Sequence, residues 1–271
     1  MHRRLSPFRD DSDMRSPFLL VQLSDPHIGA EWAEGDPGEA LAAAVKSVCA
    51  MRPQPAAVLV TGDLADRAAD AEYERVRELL APLAAPAYVL GGNHDDRAAL
   101  RHHFGLPGTD AEPICYAVDL GPVRLVALDS TIPGDVPGAL DSERLTWLER
   151  VLAASPEQPT LIAMHHPPLR TGVPGWDEIG IGAEDRRLLG EVIAGHRQVR
   201  RVVAGHLHRT ITGALADRSV LAVPSTYVQA RLNFGSHEFE LAVEPAGFAV
   251  HAVLDGEVTS HIQPVVQPRA A

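Results

Sequence analysis

Short apolar segments recur along the 271-residue chain, and each stops abruptly at a polar or glycine-containing segment. Runs of this kind, rich in Val, Ile and Leu, are typical of strands buried on both faces. The segments between them carry apolar residues at helical spacing with charges on the opposite side, as amphipathic helices do. The predicted core strands are Phe18–Leu23, Ala57–Thr61, Ala87–Leu90, Thr160–Met164 and Val199–Ala204. The predicted covering helices are Gly38–Met51, Ala71–Leu83, Ser142–Ala153 and Glu184–Ile193.

Antiparallel pairing is predicted in two further regions. Residues 120–122 join two apolar segments, Cys115–Asp119 and Val123–Leu128, in the manner of a hairpin. Nearer the C-terminus, Glu238–Val243 and Phe248–Leu254 alternate apolar and polar residues, as half-buried strands do. Together these patterns predict a mixed α/β layer structure.

The chain is predicted to form one large domain, since no internal repeat or long linker divides it. We expect a flexible N-terminal extension over residues 1–16, the folded domain over 17–262 and a flexible tail over 263–271. Within the domain, the antiparallel strands of 209–262 are expected to form a lid or a dimer contact.

Composition limits the partners of the protein. A formal net charge of −12 argues against binding long nucleic acid along a basic face. The longest early apolar run, Phe18–Leu23, is too short to span a bilayer, and the polar N-terminal residues lack the apolar stretch of a secretory signal. We therefore expect a soluble cytoplasmic protein. Cys49 and Cys115 are too few for a disulfide framework and are expected to be buried thiols.

The residues that follow the five core strands are the strongest functional signal. In open α/β sheets, ligands bind at the carboxyl ends of the strands, so groups on five strand ends are expected to converge on one crevice. The candidate metal ligands at these ends are Asp25, His27, Asp63, Asn93, His165, His206 and His208.

The chemistry of these side chains narrows the choice of cation. Carboxylates, imidazoles and an amide oxygen without cysteine suit Mn, Fe, Co or Zn, whereas an all-oxygen set would suit Mg or Ca. Seven ligands exceed what one ion ordinarily accepts from a protein, and a carboxylate can bridge two ions. The sequence therefore predicts two divalent or transition metal ions, with Asp63 as the bridge.

In order along the chain, the motifs are Asp-x-His, Gly-Asp, Gly-Asn-His-Asp, His-His-Pro and Gly-His-x-His. This set resembles the calcineurin-like metallophosphoesterase superfamily over residues 25–208. The segments 92–96 and 164–168 are most similar to class III cyclic nucleotide phosphodiesterases and bacterial glycerophosphodiesterases. The resemblance implies a four-layer αββα sandwich of two mixed sheets flanked by helices, with the dimetal site at the carboxyl ends of the strands.

The resemblance also implies a role for each residue. It assigns Asp25, His27, Asp63 and His208 to the first metal. It assigns Asp63, Asn93, His165 and His206 to the second metal, with His166 supporting these ligands. It places Asn93, His94 and His206 against the substrate phosphate. His94 would be the catalytic residue that stabilises charge or protonates the leaving oxygen.

The implied reaction is hydrolysis of small phosphodiesters, above all 3′,5′-cyclic nucleotides such as cyclic AMP, by a hydroxide that bridges the two metals. The alternatives are a glycerophosphodiesterase or broad phosphoesterase and, in another class, a metal-free binding scaffold. Phosphoproteins fit less well, because Ala68 and Asp95 replace a Gly and a Glu of the protein phosphatases. A homodimer or higher homo-oligomer is the expected assembly.

Two further residue types have both a functional and a structural interpretation. Trp176, in the long loop 169–182, is a candidate for stacking on a base or for anchoring that loop to the domain. Asp66 and Asp96 are interpreted as structural, and Asp96 is a candidate for orienting the loop of Asn93 and His94.

Overall fold

Two mixed β-sheets form the centre of the fold in the computed structural model, which describes residues 16–109 and 112–265. The strands are β1 (Phe18–Leu23), β2 (Ala57–Thr61), β3 (Ala87–Leu90), β4 (Tyr116–Asp119), β5 (Arg124–Ala127), β6 (Thr160–Ala163), β7 (Val199–Ala204), β8 (Ile211–Leu215), β9 (Arg218–Ala222), β10 (Gln229–Ala230), β11 (Leu241–Ala242), β12 (Gly247–Leu254) and β13 (Glu257–Pro264). The helices are α1 (Pro37–Ala50), α2 (Asp70–Leu80), α3 (Arg97–Phe104), α4 (Ser142–Ala153), α5 (Pro174–Glu178) and α6 (Ala183–Ala194).

Both sheets combine parallel and antiparallel strands, with antiparallel pairing at one edge of the first sheet and at both edges of the second. The first sheet has the order β13-β12-β1-β2-β3, in which β1, β2 and β3 are parallel and β12 runs antiparallel to β1. The second has the order β4-β5-β6-β7-β9-β8, in which β5, β6, β7 and β9 are parallel. The carboxyl ends of neighbouring parallel strands therefore lie at one edge of each sheet.

The alternation of side chains along the strands produces four layers. On β2, Val58 and Val60 pack against α1, α2 and α3, whereas Leu59 faces the layer between the two sheets. On β6, Leu161 lies in the same central layer and Ile162 packs on the side of α4 and α6. The predicted four-layer αββα sandwich is thus confirmed, and burial on both faces explains why these strands read as continuous apolar runs.

The regular elements largely follow the predicted ones, and the differences are local. The helices α3 and α5 were not predicted, and the hairpin of β8 and β9 falls within the antiparallel strands expected over 209–262. The predicted strand Glu238–Val243 is wrong over most of its length, because only Leu241–Ala242 pairs, with the two-residue β10. Cys49 and Cys115 are half-buried rather than buried.

The ends of the chain fall partly outside the described residues. The predicted boundary at residue 262 lies inside β13, which continues to Pro264, and Val265 is buried in the first core layer. The predicted flexibility of residues 1–15 and 266–271 concerns segments outside the described residues, and the rest of the domain division stays a prediction. None of the described helices is both long and apolar enough to cross a membrane.

A buried polar network joins strand ends in the central layer. The amide of Gln22 donates from Nε2 to Oγ1 of Thr61, at 2.9 Å, and to the carbonyl oxygen of Ala204, at 3.1 Å. Its Oε1 lies 3.0 Å from Nε2 of His251, whose Nδ1 lies 2.6 Å from Oγ of Ser260. Because buried polar groups stabilise only when all are satisfied, this network helps to fix the relative position of β1, β2 and β7.

The first prediction concerns the pH dependence of stability that His251 generates. Burial, reinforced by Arg201, lowers the pKa of His251 to about 3, whereas an unfolded histidine titrates near ~6.5. Between these values only the unfolded chain binds the proton, so the free energy of unfolding falls as pH falls, by up to ~1.4 kcal/mol per pH unit. We expect His251→Gln to give a shallower slope in urea unfolding between about pH 6 and 4. Parallel slopes for the two proteins would contradict the assignment.

Candidate dimetal centre

The five predicted strand ends meet at one place in the structure. Carboxylate or imidazole atoms of Asp25, His27, Asp63 and His208 all lie within 4.8 Å of one another. In this first group, Nε2 of His27 lies 3.0 Å from Nε2 of His208, and Nε2 of His208 lies 3.8 Å from Oδ1 of Asp25. Ligand atoms bound to one cation at ~2.0–2.2 Å lie roughly 3 Å or a little more apart, so these spacings fit a shared ion.

A second group lies beside the first. Nε2 of His165 is 3.1 Å from Oδ1 of Asn93 and 3.2 Å from Nδ1 of His206. Asn93 and His165 follow β3 and β6, so this group draws ligands from both sheets.

Asp63 lies between the two groups. One carboxylate oxygen, Oδ2, is 3.4 Å from Nε2 of His27 and 3.3 Å from Nε2 of His165. The other, Oδ1, accepts a hydrogen bond of 3.0 Å from the backbone N–H of His94. A carboxylate held between two such groups has the placement that a bridging ligand requires.

Five of the proposed ligands adopt a backbone conformation that is uncommon outside glycine. Positive φ angles place these residues in the left-handed region, where a side chain costs on the order of 1 kcal/mol or more. They are Asp25 (51°), His27 (45°), Asp63 (50°), His206 (70°) and His208 (44°). Strain of this kind persists where the surrounding fold imposes it, and it clusters at functional sites.

The four candidate ligand histidines are oriented by hydrogen bonds on the side away from the cluster. Nδ1 of His27 lies 3.1 Å from Oδ1 of Asp66, and Nδ1 of His165 lies 2.9 Å from the carbonyl oxygen of Thr61. Backbone carbonyl oxygens likewise accept from Nδ1 of His208, at 2.9 Å, and from Nε2 of His206, at 3.0 Å. Donation from these outer nitrogens leaves the inner lone pairs directed into the cluster, which is the tautomer that a metal ligand needs.

The electrostatics of the cluster also fit cations. Burial lowers the pKa of His206 and His208 well below the usual value, which keeps both imidazoles neutral. Burial acts in the same direction on His165, but the Asp63 and Asp25 carboxylates and the carbonyl oxygen of Thr61 together outweigh it and raise the pKa of His165 to about 9. A ligand must give up that proton, so cation binding would release protons and weaken as pH falls.

Asp95 ties two ligand loops together. Its carboxylate accepts hydrogen bonds from the backbone N–H groups of Leu64 and Ala65, each at 3.1 Å, and of Gly92, at 2.9 Å. Gly92 permits the close approach of the loops, since a Cβ there would lie 2.2 Å from Oδ1 of Asp63. Orientation of the Asn93 loop thus belongs to Asp95 and not to Asp96.

Asp66, interpreted as structural from the sequence, lies at the candidate site. Its Oδ1 lies 2.8 Å from Nε1 of Trp32 and 3.1 Å from Nδ1 of His27, and its backbone oxygen lies 2.9 Å from Nδ1 of His94. The sequence carried only one signal for a role of Asp66 at the site, its position three residues after Asp63. Trp32 was not among the candidates, since no motif includes it.

The burial of Trp176 favours the interpretation that it anchors its segment to the domain. Its side chain is only 2% exposed and packs with Val173, Leu207 and Ala230. His166 is also buried, and its ring nitrogens lie near Oγ of Ser130 and a backbone carbonyl, so it supports the neighbouring His165 loop.

The fold and this group of side chains define the class of two-metal phosphoesterases, and comparison with known proteins gives the family. The family model "Calcineurin-like phosphoesterase" matches residues 18–210, so the chain belongs to that family. A solved dimetal phosphatase from Danio rerio superposes with a TM-score of 0.70 at 16% identity, covering 93% of this chain and 98% of its own, which shows the shared fold.

Curated relatives from bacteria extend the similarity over most of the chain. The 3′,5′-cyclic adenosine monophosphate phosphodiesterase CpdA of Pseudomonas aeruginosa is 36% identical over 227 residues, 82% of this chain and 80% of the relative. The probable glycerophosphodiester phosphodiesterase GpdQ of Arcobacter nitrofigilis is 31% identical over 242 residues, 86% of this chain and 88% of the relative. These similarities agree with the expected resemblance.

The second prediction distinguishes Asp95, which connects the ligand loops, from the neighbouring Asp96, which caps a helix. Asp95→Ala removes the acceptor for three backbone N–H groups of the ligand loops, and we expect metal affinity to fall about 10–100-fold, as for other residues that orient ligands. Asp96→Ala is the matched control, because Asp96 caps α3 by accepting from the N–H of Ala99 at 2.9 Å. It should cost ~1 kcal/mol of stability and leave metal affinity unchanged. Titration calorimetry on both variants tests this, and equal losses of affinity would contradict the role of Asp95.

Proposed function

We propose that the protein hydrolyses small phosphodiesters, with 3′,5′-cyclic nucleotides such as cyclic AMP as its preferred substrates, at a site that holds two divalent or transition metal ions. The single observation that carries this proposal is the position of Asp63 Oδ2, within 3.4 Å of a ring nitrogen in each of the two groups. The ligand set of the proposal is Asp25, His27, Asp63, Asn93, His165, His206 and His208.

The donor set supports Fe, Mn, Zn or Co as the cations, because imidazole and carboxylate ligands occur together without thiolates. When bound, such a pair supplies positive charge beside the phosphate and a water that is deprotonated near neutral pH. The two groups would divide around Asp63, with Asp25, His27 and His208 on one side. On the other side would be Asn93, His165 and His206.

His94 is the proposed catalytic residue because it is close to the cluster and is placed outside both ligand groups. Its side chain is 35% exposed, and its Nδ1 lies 2.9 Å from the carbonyl oxygen of Asp66. With Nδ1–H donated to that oxygen, Nε2 is the nitrogen that can carry a second proton and transfer it to the leaving alkoxide. His94 also lines a cleft of about 490 Å³ together with Asn93, Thr131 and Ile132, which gives a small ester access to it.

Binding of the phosphate is assigned to Asn93 and His94. With Oδ1 of Asn93 committed to the cluster, its Nδ2 group remains a donor for a phosphate oxygen. His206 is proposed only as a metal ligand, since one ring nitrogen faces His165 and the other donates to the carbonyl of Ile179. The expected substrate contact of His206 is therefore not part of the proposal.

Cleavage of diesters is supported by the names of the relatives. The Pseudomonas aeruginosa protein is named a cyclic AMP phosphodiesterase, and a Mycobacterium tuberculosis relative, 32% identical over 237 residues, is named a cAMP/cGMP dual specificity phosphodiesterase. Glycerophosphodiester hydrolysis is the second candidate, because the Arcobacter relative aligns over 88% of its own length. The oligomeric assembly and the cytoplasmic location stay predictions.

The third prediction concerns the substrate. Protein reconstituted with Mn²⁺ should hydrolyse cyclic AMP with a higher kcat/KM than glycerophosphoethanolamine, and both faster than phosphomonoesters. Release of adenosine 5′-monophosphate and of glycerol 3-phosphate can be followed by chromatography under identical metal conditions. Activity confined to monoesters would refute the proposed diester hydrolysis, and failure to take up metal in elemental analysis would favour a binding scaffold.

The fourth prediction separates metal binding from proton transfer. Asp63→Ala removes the shared carboxylate, so we expect loss of both metal occupancy and turnover. His94→Ala should keep both ions by elemental analysis and lose ~10²–10⁴ in kcat, the usual range for a general acid or base. Loss of metal from His94→Ala, at a level similar to that of Asp63→Ala, would show that His94 is a ligand instead.

A further inference from the structure

An exposed tryptophan lies at the edge of the proposed metal cluster. Trp32 belongs to the loop between β1 and α1, and 43% of its surface is exposed. Its ring centroid lies 5.3 Å from that of His27 and 6.4 Å from that of His208. By contrast, the anchoring Trp176 is only 2% exposed, so of these two tryptophans Trp32 is the one that a ligand can reach.

The position of Trp32 is fixed by two contacts. Its indole N–H donates to Oδ1 of Asp66 at 2.8 Å. The ring of Tyr227 lies edge-on to it, with centroids 6.0 Å apart, and the Tyr227 hydroxyl shares its proton between the backbone oxygens of Ala33 and Gly35, each at 3.1 Å. A ring that is ordered before binding loses little entropy when a ligand stacks on it.

Trp32 is also close to His94, the residue proposed to protonate the leaving alkoxide. The Asp66 oxygen that accepts from the indole of Trp32 lies 3.5 Å from Nδ1 of His94. The indole and this imidazole therefore lie beside the same carboxylate. A second partly exposed ring, Phe239 (39%), packs edge-on against His208 with centroids 5.5 Å apart. Trp32 and Phe239 thus place apolar, planar surface around an otherwise polar cluster.

We propose that Trp32, assisted by Phe239, is the platform on which the base of a nucleotide substrate stacks while its phosphate occupies the metal cluster. This inference rests on the proposed function and names the residues that select a nucleoside ester over an ester without a planar group. Stacking on an indole accepts any base, because every base has a π-face. Adenine and guanine nucleotides should therefore bind with similar affinity.

The test compares ligands that differ only in the base. Binding of adenosine 5′-monophosphate and of ribose 5-phosphate to Mn²⁺-loaded protein is measured by titration calorimetry, which requires neither turnover nor the fluorescence of Trp32. We expect Trp32→Ala to weaken binding of adenosine 5′-monophosphate about 5- to 100-fold, the range for loss of one base–aromatic stack, and to change that of ribose 5-phosphate less than about twofold. The KM for cyclic AMP should rise with little change in kcat.

Two further variants separate stacking from other roles of the ring. Trp32→Phe keeps a planar ring and loses the hydrogen bond to Asp66, so it should recover most of the affinity for adenosine 5′-monophosphate. Phe234→Ala is the matched control, because Phe234 is 63% exposed and lies beside Gly172. It should leave binding of both ligands unchanged.

Several results would overturn the proposal. Equal losses for adenosine 5′-monophosphate and ribose 5-phosphate, or a Trp32→Phe variant as weak as Trp32→Ala, would show that the indole acts by positioning Asp66. Binding of phosphocholine as tight as that of adenosine 5′-monophosphate, and weakened to the same extent in Trp32→Ala, would indicate a cation-binding ring instead. Because binding is read without turnover, a protein that binds the base through Trp32 but cleaves no diester would refute the proposed function alone.

Discussion

Two almost fully buried carboxylates, Asp25 and Asp63, lie among imidazoles whose ring nitrogens face one another, and the rest of the site depends on this arrangement. The nearest example is the 3.0 Å separation of Nε2 in His27 and His208. Acceptors held together out of water repel one another and are costly to bury, by several kcal/mol for a carboxylate. Positive charge placed among them turns the same groups into ligands. The fold therefore has to hold these groups rigidly enough that they cannot relax apart.

That rigidity comes from the sheets and from the loops at their ends. The first sheet supplies Asp25, His27, Asp63 and Asn93 from the ends of three adjacent parallel strands, and the second supplies the remaining histidines. The left-handed backbone at five of these residues shows that the loops are constrained, since the side chains themselves would favour other conformations. Hydrogen bonds such as those accepted by Asp95 then lock one loop to the next.

The sequence was informative about the ligands because each directly follows a strand that is apolar enough to recognise. It was much less informative about Asp66, Asp95 and Trp32. Their roles depend on partners that folding brings close, such as Asp66 and Trp32, which are 34 residues apart. The tryptophans show the same limit: only Trp176 was a candidate for stacking from its place in the sequence, and only the packing reveals that Trp176 is buried and Trp32 exposed. The error at Glu238–Val243 has a related cause, because alternation predicts a strand only where a partner strand of equal length exists.

The site has two physically different parts, the buried charged ligands and the exposed aromatic rings at its edge. The ligands and their outer hydrogen bonds are buried, so a substitution there disturbs the balance of charge on which any phosphoester reaction at this site depends. Trp32 and Phe239 lie at the solvent-exposed edge, on loops whose length and sequence can change without moving a strand end. With the proposed stacking platform on these loops, recognition of the group attached to the phosphate can vary independently of the ligands. One ligand arrangement is in this way compatible with relatives named for cyclic nucleotides and with relatives named for glycerophosphodiesters.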